Sequence, residues 1–239
     1  MSQRKVPLVE DEVYHIYTKS IAGFKIFKNK VDYNRMLEEI RFYTIENPPC
    51  KFCVFKSLQE EMKPEIFPKI DPSEKLIDIL AYCLMPTHIH FVLKQLKENG
   101  ISKFIGRILQ SYSTHFNIKH KRKGPLWQGR FQNVRVENDN QLLHLTRYLH
   151  LNPVAASLTD MPMDWKFSSY KEYLGQIKEN EKLCNFSGYF DLNPDTYEKF
   201  VSDHVSYQKE RSVIESRISR PGPERSRAGN TGIKKAGRG

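Results

Sequence analysis

The chain has 239 residues, 39% of them hydrophobic and 12% aromatic, and a formal net charge of +10. These proportions suffice for a packed core, and no stretch approaches the ~20 consecutive apolar residues of a membrane span. The N-terminus also has no apolar signal segment, so we expect a soluble, cytoplasmic protein that makes no membrane contact.

The positive charge is concentrated at the C-terminal end. Residues 217–239 contain seven Lys or Arg and one Glu, which leaves about +4 of the net charge for residues 1–216. A basic segment rich in Gly, Pro and Ser cannot bury enough surface to order itself, so we predict a disordered basic tail. Two roles remain open for this tail: nonspecific contact with polyanions, or solubility alone.

The chain has four cysteines, Cys50, Cys53, Cys83 and Cys184. Only the first two have C-x-x-C spacing, and no second pair exists to complete a zinc site. We expect free thiols; a zinc site completed by His88 and His90 is the less favoured alternative.

Alternating apolar residues predict a first strand over 12–20, and a helical period predicts a helix over 31–46. Proline disfavours helix in the residue before it, so residues 47–49, Asn-Pro-Pro, end that helix. The segment CKFCVFKS (50–57) is predicted as a short strand, and residues 60–75 as a loop.

The second half begins with a buried strand over 76–85, the turn Pro86-Thr87 and an antiparallel strand over 88–95. A long amphipathic helix over 100–123 and an alternating strand over 131–137 follow. A second helix covers 138–151, with Asn138 or Asp139 as N-cap and Asn152-Pro153 as terminator.

This order of elements predicts an α+β fold, an antiparallel sheet with helices packed on it. We predict one catalytic domain over 1–192, a helical extension over 193–216 and the basic tail over 217–239.

Two histidines stand at the start of the strand HIHFVLKQ. Alternate residues of a strand point to the same face, so His88 and His90 project together, away from Ile89 and Phe91. They are close enough to share one cation or one phosphate. A purely structural role is the alternative.

The helix over 138–151 carries a polar face. Residues four apart share a face, which groups His144, Tyr148 and Asn152 beside an apolar stripe of leucines. If that stripe packs on the sheet, Tyr148 stands at its margin and reaches the His pair. The alternative is an ordinary tyrosine at the edge of the core.

Three segments carry a family resemblance: AYCLMPTHIHFVLK, GPLWQGRFQNVRV and RYLHLNPVAASL. They resemble the single-tyrosine transposases of the HUH endonuclease superfamily, in particular the REP-associated tyrosine transposases of bacteria. The similarity runs from about residue 12 to residue 174 and includes DWKFSSYKEYLG. Residues 50–75 and those after about 193 lie outside it.

The resemblance implies a HUH endonuclease fold with a ferredoxin-like palm, and a role for each motif residue. His88, His90 and Asn152 would hold Mg²⁺ or Mn²⁺, and Tyr148 would be the nucleophile. Two imidazoles and an amide oxygen leave coordination positions open for phosphate oxygens, unlike a closed structural zinc site. A tyrosine has a pKa near ~10, so it attacks phosphorus well only when its deprotonation is assisted. His144 is a candidate for that assistance.

A basic segment precedes the second helix. It contains Lys119, Lys121, Arg122, Lys123, Arg130 and Arg135, with Trp127 among them. Lys and Arg bind backbone phosphates, and an exposed aromatic ring stacks on unpaired bases. Anchoring of the loop in the core is the equally favoured role for Trp127.

The resemblance implies single-stranded DNA folded into short hairpins as the substrate, and a nucleoid-associated bacterial protein, either monomer or homodimer. The predicted function is therefore metal-dependent cleavage and strand transfer through a 5′-phosphotyrosine, in DNA transposition and recombination. A histidine-triad hydrolase is disfavoured because Val92 stands where that motif needs a third histidine. A domesticated DNA-binding protein without turnover is the remaining alternative.

Overall fold

The structure of the protein, a computed structural model, describes residues 7–63, 72–190 and 192–209. The predicted basic tail over 217–239 and the end of the predicted helical extension lie outside these residues. The N-terminal part of that extension, up to residue 209, is described.

Four strands and six α-helices are complete within the described residues, and loops and short 3₁₀ turns join them. The strands are β1 Val13–Lys19, β2 Ile77–Met85, β3 His88–Gln95 and β4 Gln132–Arg135. The helices are α1 Lys30–Phe42, α2 Phe52–Ser57, α3 Gly100–Lys119, α4 Asp139–Ala155, α5 Tyr170–Tyr173 and α6 Pro194–Ser202.

The strands form one antiparallel sheet in the order β2-β3-β1-β4. The predicted hairpin is present, with Met85 paired to His88 across the turn. The first strand of the chain lies between β3 and β4, so residues far apart in sequence become cross-strand neighbours. The predicted fold class, an antiparallel sheet with helices packed on it, is confirmed.

The sheet buries both of its faces. On one side, Ile16, Ile89 and Phe91 share a core with residues of α1 and α3. On the other side, Val92 shares a core with residues of α4 and α6, including Tyr197. Side chains of a strand alternate between faces, so His88 and His90 lie on the α4 side, with Val92.

The segment over 50–57 forms the helix α2, so the predicted strand is wrong. The carbonyl oxygen of Lys51 accepts hydrogen bonds from the backbone nitrogens of Val54 and Phe55, at 3.0 and 3.1 Å. The rings of Phe52 and Phe55, three residues apart, both pack on Phe42, with centroids 5.1 and 5.0 Å away. Their spacing is that of one helix face, not of alternation along a strand.

Helix α1 ends at Phe42, four residues before the predicted end. Beyond it residues 43–44 form a turn and Ile45 forms an isolated bridge with Lys75. The backbone nitrogen of Leu76 also donates to the Thr44 carbonyl at 2.8 Å. This pairing with the start of β2 competes with the helix. Helix α3 likewise ends at Lys119 rather than 123.

Helix α4 begins as predicted, with the Asn138 side chain accepting a hydrogen bond from the Gln141 backbone nitrogen at 2.8 Å. It continues through Pro153 to Ala155, so the predicted end at 151 is wrong. Pro153 has no backbone N–H to donate, but the residues after it keep theirs. The Ala156 nitrogen donates to the Asn152 carbonyl at 2.9 Å, so the helical hydrogen bonding continues past the proline. Tyr148 and Asn152 therefore lie one turn apart on a continuous helix.

The predicted extension is not one continuous helix. Helix α6 ends at Ser202, with Asp203 and His204 forming a turn before residues 205–209 become helical again. The Asn193 side chain caps its first turn, accepting from the backbone nitrogens of Asp195 and Thr196.

Candidate active site

The histidine pair opens β3 and faces helix α4. Their ring centroids are 5.0 Å apart, with an interplanar angle of 84°. His88 is half-buried, whereas His90 is 7% exposed. Strand β3 therefore places both imidazoles side by side on one face of the sheet, with His88 nearer the surface and His90 more deeply buried.

Strand β1 adds two aromatic side chains to the same face. Tyr17 pairs directly with His90 in the sheet, and their ring centroids are 6.0 Å apart. Nε2 of His15 lies 3.0 Å from Nδ1 of His90. These two residues were not among the predicted site residues, although their two-residue spacing in EVYHIYTKS places them on a common face.

Tyr148 reaches the site from α4. Its side chain is 45% exposed. Its ring centroid lies 6.1 Å from that of His90 and 6.3 Å from that of His15, edge-on to both rings. The structure thus brings Tyr148 to the His pair, across the gap between helix and sheet.

Asn152 stands one turn beyond Tyr148 on α4 and is half-buried. Its amide nitrogen is buried without a hydrogen-bond partner among the described residues. The oxygen and nitrogen of an asparagine amide exchange places by a half-turn of the group. The amide therefore retains hydrogen-bonding or ligating capacity that the described protein groups leave unused.

Burial controls the ionisation of the three histidines. It lowers the pKa of His15 to about 4 and that of His90 well below its usual value, the latter helped by the neighbouring His88 and His15. The pKa of His88 is also lowered, by burial and by Lys19. All three rings are therefore neutral near pH 7, and a neutral imidazole has one nitrogen lone pair to offer.

The donor set fits a divalent cation. Nδ1 of His88 lies 3.0 Å from the hydroxyl oxygen of Thr87, and Nδ1 of His90 faces His15, so Nε2 of each ring is the nitrogen left for a ligand. A neutral imidazole nitrogen is a common ligand of divalent cations, and Asn152, whose amide nitrogen has no partner among the described residues, is the amide that the resemblance assigns to the same ion.

The alternative zinc site is wrong. Within residues 7–63, 72–190 and 192–209, no group of three or more His, Cys, Asp or Glu side chains is arranged to hold a metal ion. Cys50 and Cys53 therefore do not join the His pair, and all four cysteines are free thiols, as predicted.

His144 contacts Arg147 and Phe200. Its Nδ1 lies 2.8 Å from Nη2 of Arg147, and its ring centroid lies 5.6 Å from that of Phe200 in α6. The predicted assistance to Tyr148 is therefore not supported by the geometry.

The predicted DNA-contacting residues divide into two groups. Lys119 is paired with Asp32 at 2.5 Å, and Arg135 is paired with Glu12. Arg122 donates to backbone carbonyls of its own loop, including that of Pro125 at 2.6 Å. Lys121, Lys123 and Arg130 are exposed.

Trp127 anchors this loop in the core, which corrects its assignment as a stacking residue. Its side chain is 8% exposed, and its indole nitrogen donates to the Leu109 carbonyl at 3.1 Å. The loop is also tied to the end of β1: Gln128 donates from its backbone nitrogen to the Lys19 carbonyl at 2.8 Å. Trp127 and Gln128 therefore hold the middle of the basic loop beside the end of β1, where Lys19 pairs with His88.

A cavity of about 290 Å³ adjoins the His pair on this side. Its walls come from the end of β1, the following turn and the start of β3: Tyr17, Thr18, Lys19, Ser20, Gly23, Thr87, His88 and His90. The cavity extends from the two imidazoles to Lys19 at the end of β1, whose carbonyl accepts the hydrogen bond from Gln128 of the basic loop.

Among the described residues, none of the helices has the length and apolar character needed to cross a membrane.

The family model described as "Transposase IS200 like" matches residues 51–152. A protein of Haemophilus influenzae that carries the name REP-associated tyrosine transposase is 30% identical over an alignment of 104 positions, which covers 39% of this chain. The match spans 58% of that relative's length. The predicted resemblance to this group of transposases is confirmed.

The fold is also similar to a solved structure of a REP-associated tyrosine transposase bound to a REP hairpin. The two share 14% sequence identity, with a TM-score of 0.47, over 81% of this chain and 99% of the other.

Proposed function

We propose that this chain is a transposase that cleaves single-stranded DNA and transfers the strand through a covalent 5′-phosphotyrosine on Tyr148. The observation that carries the proposal is the position of Tyr148, partly exposed on α4, edge-on to His90 with 6.1 Å between ring centroids. The match of the IS200-like transposase model over 51–152 includes both residues and supports this chemistry.

In the proposed reaction the phenol oxygen of Tyr148 attacks the scissile phosphorus. An O–P bond forms to the tyrosine, the bond from phosphorus to the 3′-oxygen breaks, and that oxygen takes up a proton as the phenol loses one. The 5′ end of the DNA then remains on the protein, and attack by a 3′-hydroxyl of another strand reverses the exchange. Neither direction needs an external energy source, because one phosphate ester replaces another.

His88, His90 and Asn152 would hold a divalent cation, Mg²⁺ or Mn²⁺. Such a cation neutralises the negative charge that develops on the phosphate oxygens during the transfer. The protein's own contribution is a pair of neutral imidazoles on β3 and an amide one helical turn from the attacking tyrosine.

The substrate path is proposed to follow the cavity beside the His pair and the loop tied to Lys19. Lys121, Lys123 and Arg130 are exposed on this loop and suit backbone phosphates. The hairpin form of the substrate comes from the family resemblance. Base stacking on Trp127 is not part of the proposal, since that ring is buried.

The test is incubation of the full chain with hairpin-bearing single-stranded oligonucleotides and Mn²⁺, followed by a denaturing gel. We expect a slow-migrating protein–DNA adduct that disappears in Tyr148→Phe and persists in Tyr207→Phe, which alters an exposed tyrosine of the C-terminal region. Cleavage that persists in Tyr148→Phe would point to attack by water. Binding without cleavage or adduct, across oligonucleotides from the gene's own flanks, would favour a DNA-binding protein without turnover.

A further inference from the structure

A ring nitrogen of His15 lies within hydrogen-bonding distance of a ring nitrogen of His90. The nitrogens are 3.0 Å apart, and the two rings are nearly parallel, with an interplanar angle of 17°. The 5.3 Å between ring centroids is about the N···N distance plus one radius of each ring. The rings therefore meet edge to edge, and each nitrogen points at the other, as a hydrogen bond requires.

This geometry does not suit a cation shared between His15 and His90. Two imidazoles that bind one ion direct their lone pairs at the ion, so their ring planes converge on it and not on each other. Here the two nitrogens point at each other at 3.0 Å, which is the distance of a direct hydrogen bond and leaves no room for a cation between them. His15 is therefore a partner of His90 and not a third ligand beside it.

One proton lies between the two nitrogens, and the ring that carries it determines whether His90 can bind a cation through Nε2. If Nε2 of His15 donates, then Nδ1 of His90 accepts and the proton of His90 is on Nε2, which leaves no lone pair for a cation. If Nδ1 of His90 donates, its Nε2 keeps the lone pair. Ligating histidines have this second arrangement, in which the remaining ring N–H donates to a neighbouring acceptor.

We propose that His15 is a positioning residue: its Nε2 accepts the Nδ1 proton of His90, and this fixes the tautomer and ring orientation that present Nε2 of His90 to a divalent cation. This inference rests on the proposed function, because it takes the His pair to be the metal site. Thr87 serves His88 in the same way, since its hydroxyl lies 3.0 Å from Nδ1 of that ring. Strand pairing makes the His15 contact rigid, with Tyr17 of β1 in register with His90.

The tautomer is measurable without metal or DNA. Long-range ¹H–¹⁵N NMR spectra of the metal-free full chain, with ¹⁵N-labelled histidine, distinguish Nδ1–H from Nε2–H rings; His90→Gln identifies the His90 signals. We expect His90 to carry its proton on Nδ1 in the wild-type protein and to lose this preference in His15→Phe. A wild-type His90 protonated on Nε2 would overturn the proposal, and this result needs no variant of His15 to fold.

Metal affinity is the second readout, by titration calorimetry with Mn²⁺ alone. Loss of an outer-shell partner costs about 10–100-fold in metal affinity. We expect this loss in His15→Phe and a recovery in His15→Gln, whose amide oxygen supplies an acceptor in place of the imidazole. Equal Mn²⁺ affinity in wild type and His15→Phe would overturn the positioning role, as would a wild-type protein that binds no Mn²⁺.

The proposed function and the role of His15 fail in different experiments. A missing Tyr148 adduct, with the expected tautomer and affinities, would overturn the phosphotyrosine chemistry and leave His15 as a metal-positioning residue. A normal Tyr148 adduct, with an Mn²⁺ affinity in His15→Phe equal to that of wild type, would support the phosphotyrosine chemistry and overturn the positioning role of His15. An adduct that disappears in His15→Phe at saturating Mn²⁺, with unchanged metal affinity, would assign His15 to proton transfer with Tyr148 and overturn its positioning role.

Discussion

Tyr197 of α6 and His150 of α4 are joined by a 2.7 Å hydrogen bond inside the core, between the phenol oxygen and Nδ1. The Thr146 hydroxyl donates to the Leu143 carbonyl, so it accepts from Tyr197, at 2.9 Å. The phenol oxygen in turn accepts from Nδ1–H of His150, whose Nε2 faces the Ser169 hydroxyl at 2.8 Å. This chain of bonds attaches the Tyr148-bearing helix to the C-terminal region.

The first prediction concerns that attachment. Tyr197→Phe removes the acceptor of His150 and leaves a buried N–H unpaired, which costs about 1–3 kcal/mol of unfolding free energy. Urea denaturation at pH 7.5 measures the change. The matched variant Tyr207→Phe, at a side chain that is 59% exposed, is expected to stay within about 0.5 kcal/mol of wild type. Equal effects of the two variants would contradict a role for this network in stability.

The second prediction is a loss of stability in mild acid. Burial lowers the pKa of His150 from 6.5 to about 3. Below pH 6.5 the unfolded chain therefore binds a proton at this residue that the folded chain does not, so stability is present above pH 6.5 and falls as the pH falls. Between pH 6.5 and 5 this one histidine removes about 2 kcal/mol, and the lowered pKa values of His15 and His90 act in the same direction.

The control for this effect is His150→Gln, compared with wild type by urea denaturation at pH 7.5, 6.5 and 5. The variant is expected to be less stable than wild type at pH 7.5, because the core network is interrupted. Its loss between pH 6.5 and 5 is expected to be about 2 kcal/mol smaller than that of wild type. A pH dependence unchanged by the substitution would mean that His150 is not the group that titrates.

The third prediction separates anchoring from base stacking at Trp127. Trp127→Leu removes the indole and its bond to the Leu109 carbonyl, so we expect about 3 kcal/mol of destabilisation. The folded variant is expected to bind single-stranded DNA nearly as well as wild type. A stacking residue would show the opposite: stability close to wild type and a loss of about 1–3 kcal/mol in DNA affinity.

The fourth prediction concerns the exposed lysines of the basic loop. A double variant, Lys121→Gln with Lys123→Gln, is expected to reduce the salt dependence of single-stranded DNA binding, by about 0.7 in the log–log slope for each phosphate that the protein no longer neutralises. The matched control removes the same charge elsewhere, with Lys56→Gln in α2 and Lys199→Gln in α6. If both double variants change the slope equally, the effect is one of net charge and not of this loop.

Local patterns in the sequence were sufficient for the hairpin, the shared face of His88 and His90, and the N-terminus of α4. Each depends on residues close together in the chain. The contact between His15 and His90 depends on β1 lying beside β3, and the order of strands in a sheet does not follow from the periodicity of any one strand. His15 was therefore on the correct face of its strand without being predicted as part of the site.

Tertiary contacts decided two segments for which the local signal was wrong or ambiguous. Phe52 and Phe55 pack on Phe42 and favour a helix where the residues suggested a strand. For Trp127 the sequence left base stacking and anchoring equally open, and its hydrogen bond to the Leu109 carbonyl and its position in the core favour anchoring. The end of α4 has a different cause: Asn152-Pro153 was predicted as its terminator, but the helix continues through Pro153 to Ala155 on its own backbone hydrogen bonds.

The most direct test of the central claim is to find the DNA on Tyr148 itself. The tryptic peptide 148–166 contains Tyr148 as its single tyrosine. After reaction with a hairpin-bearing oligonucleotide, nuclease treatment and tryptic digestion, mass spectrometry is expected to find this peptide with a 5′-linked nucleotide on that tyrosine. An adduct found on another peptide, such as one containing Tyr17, would contradict the assignment of Tyr148 as the nucleophile.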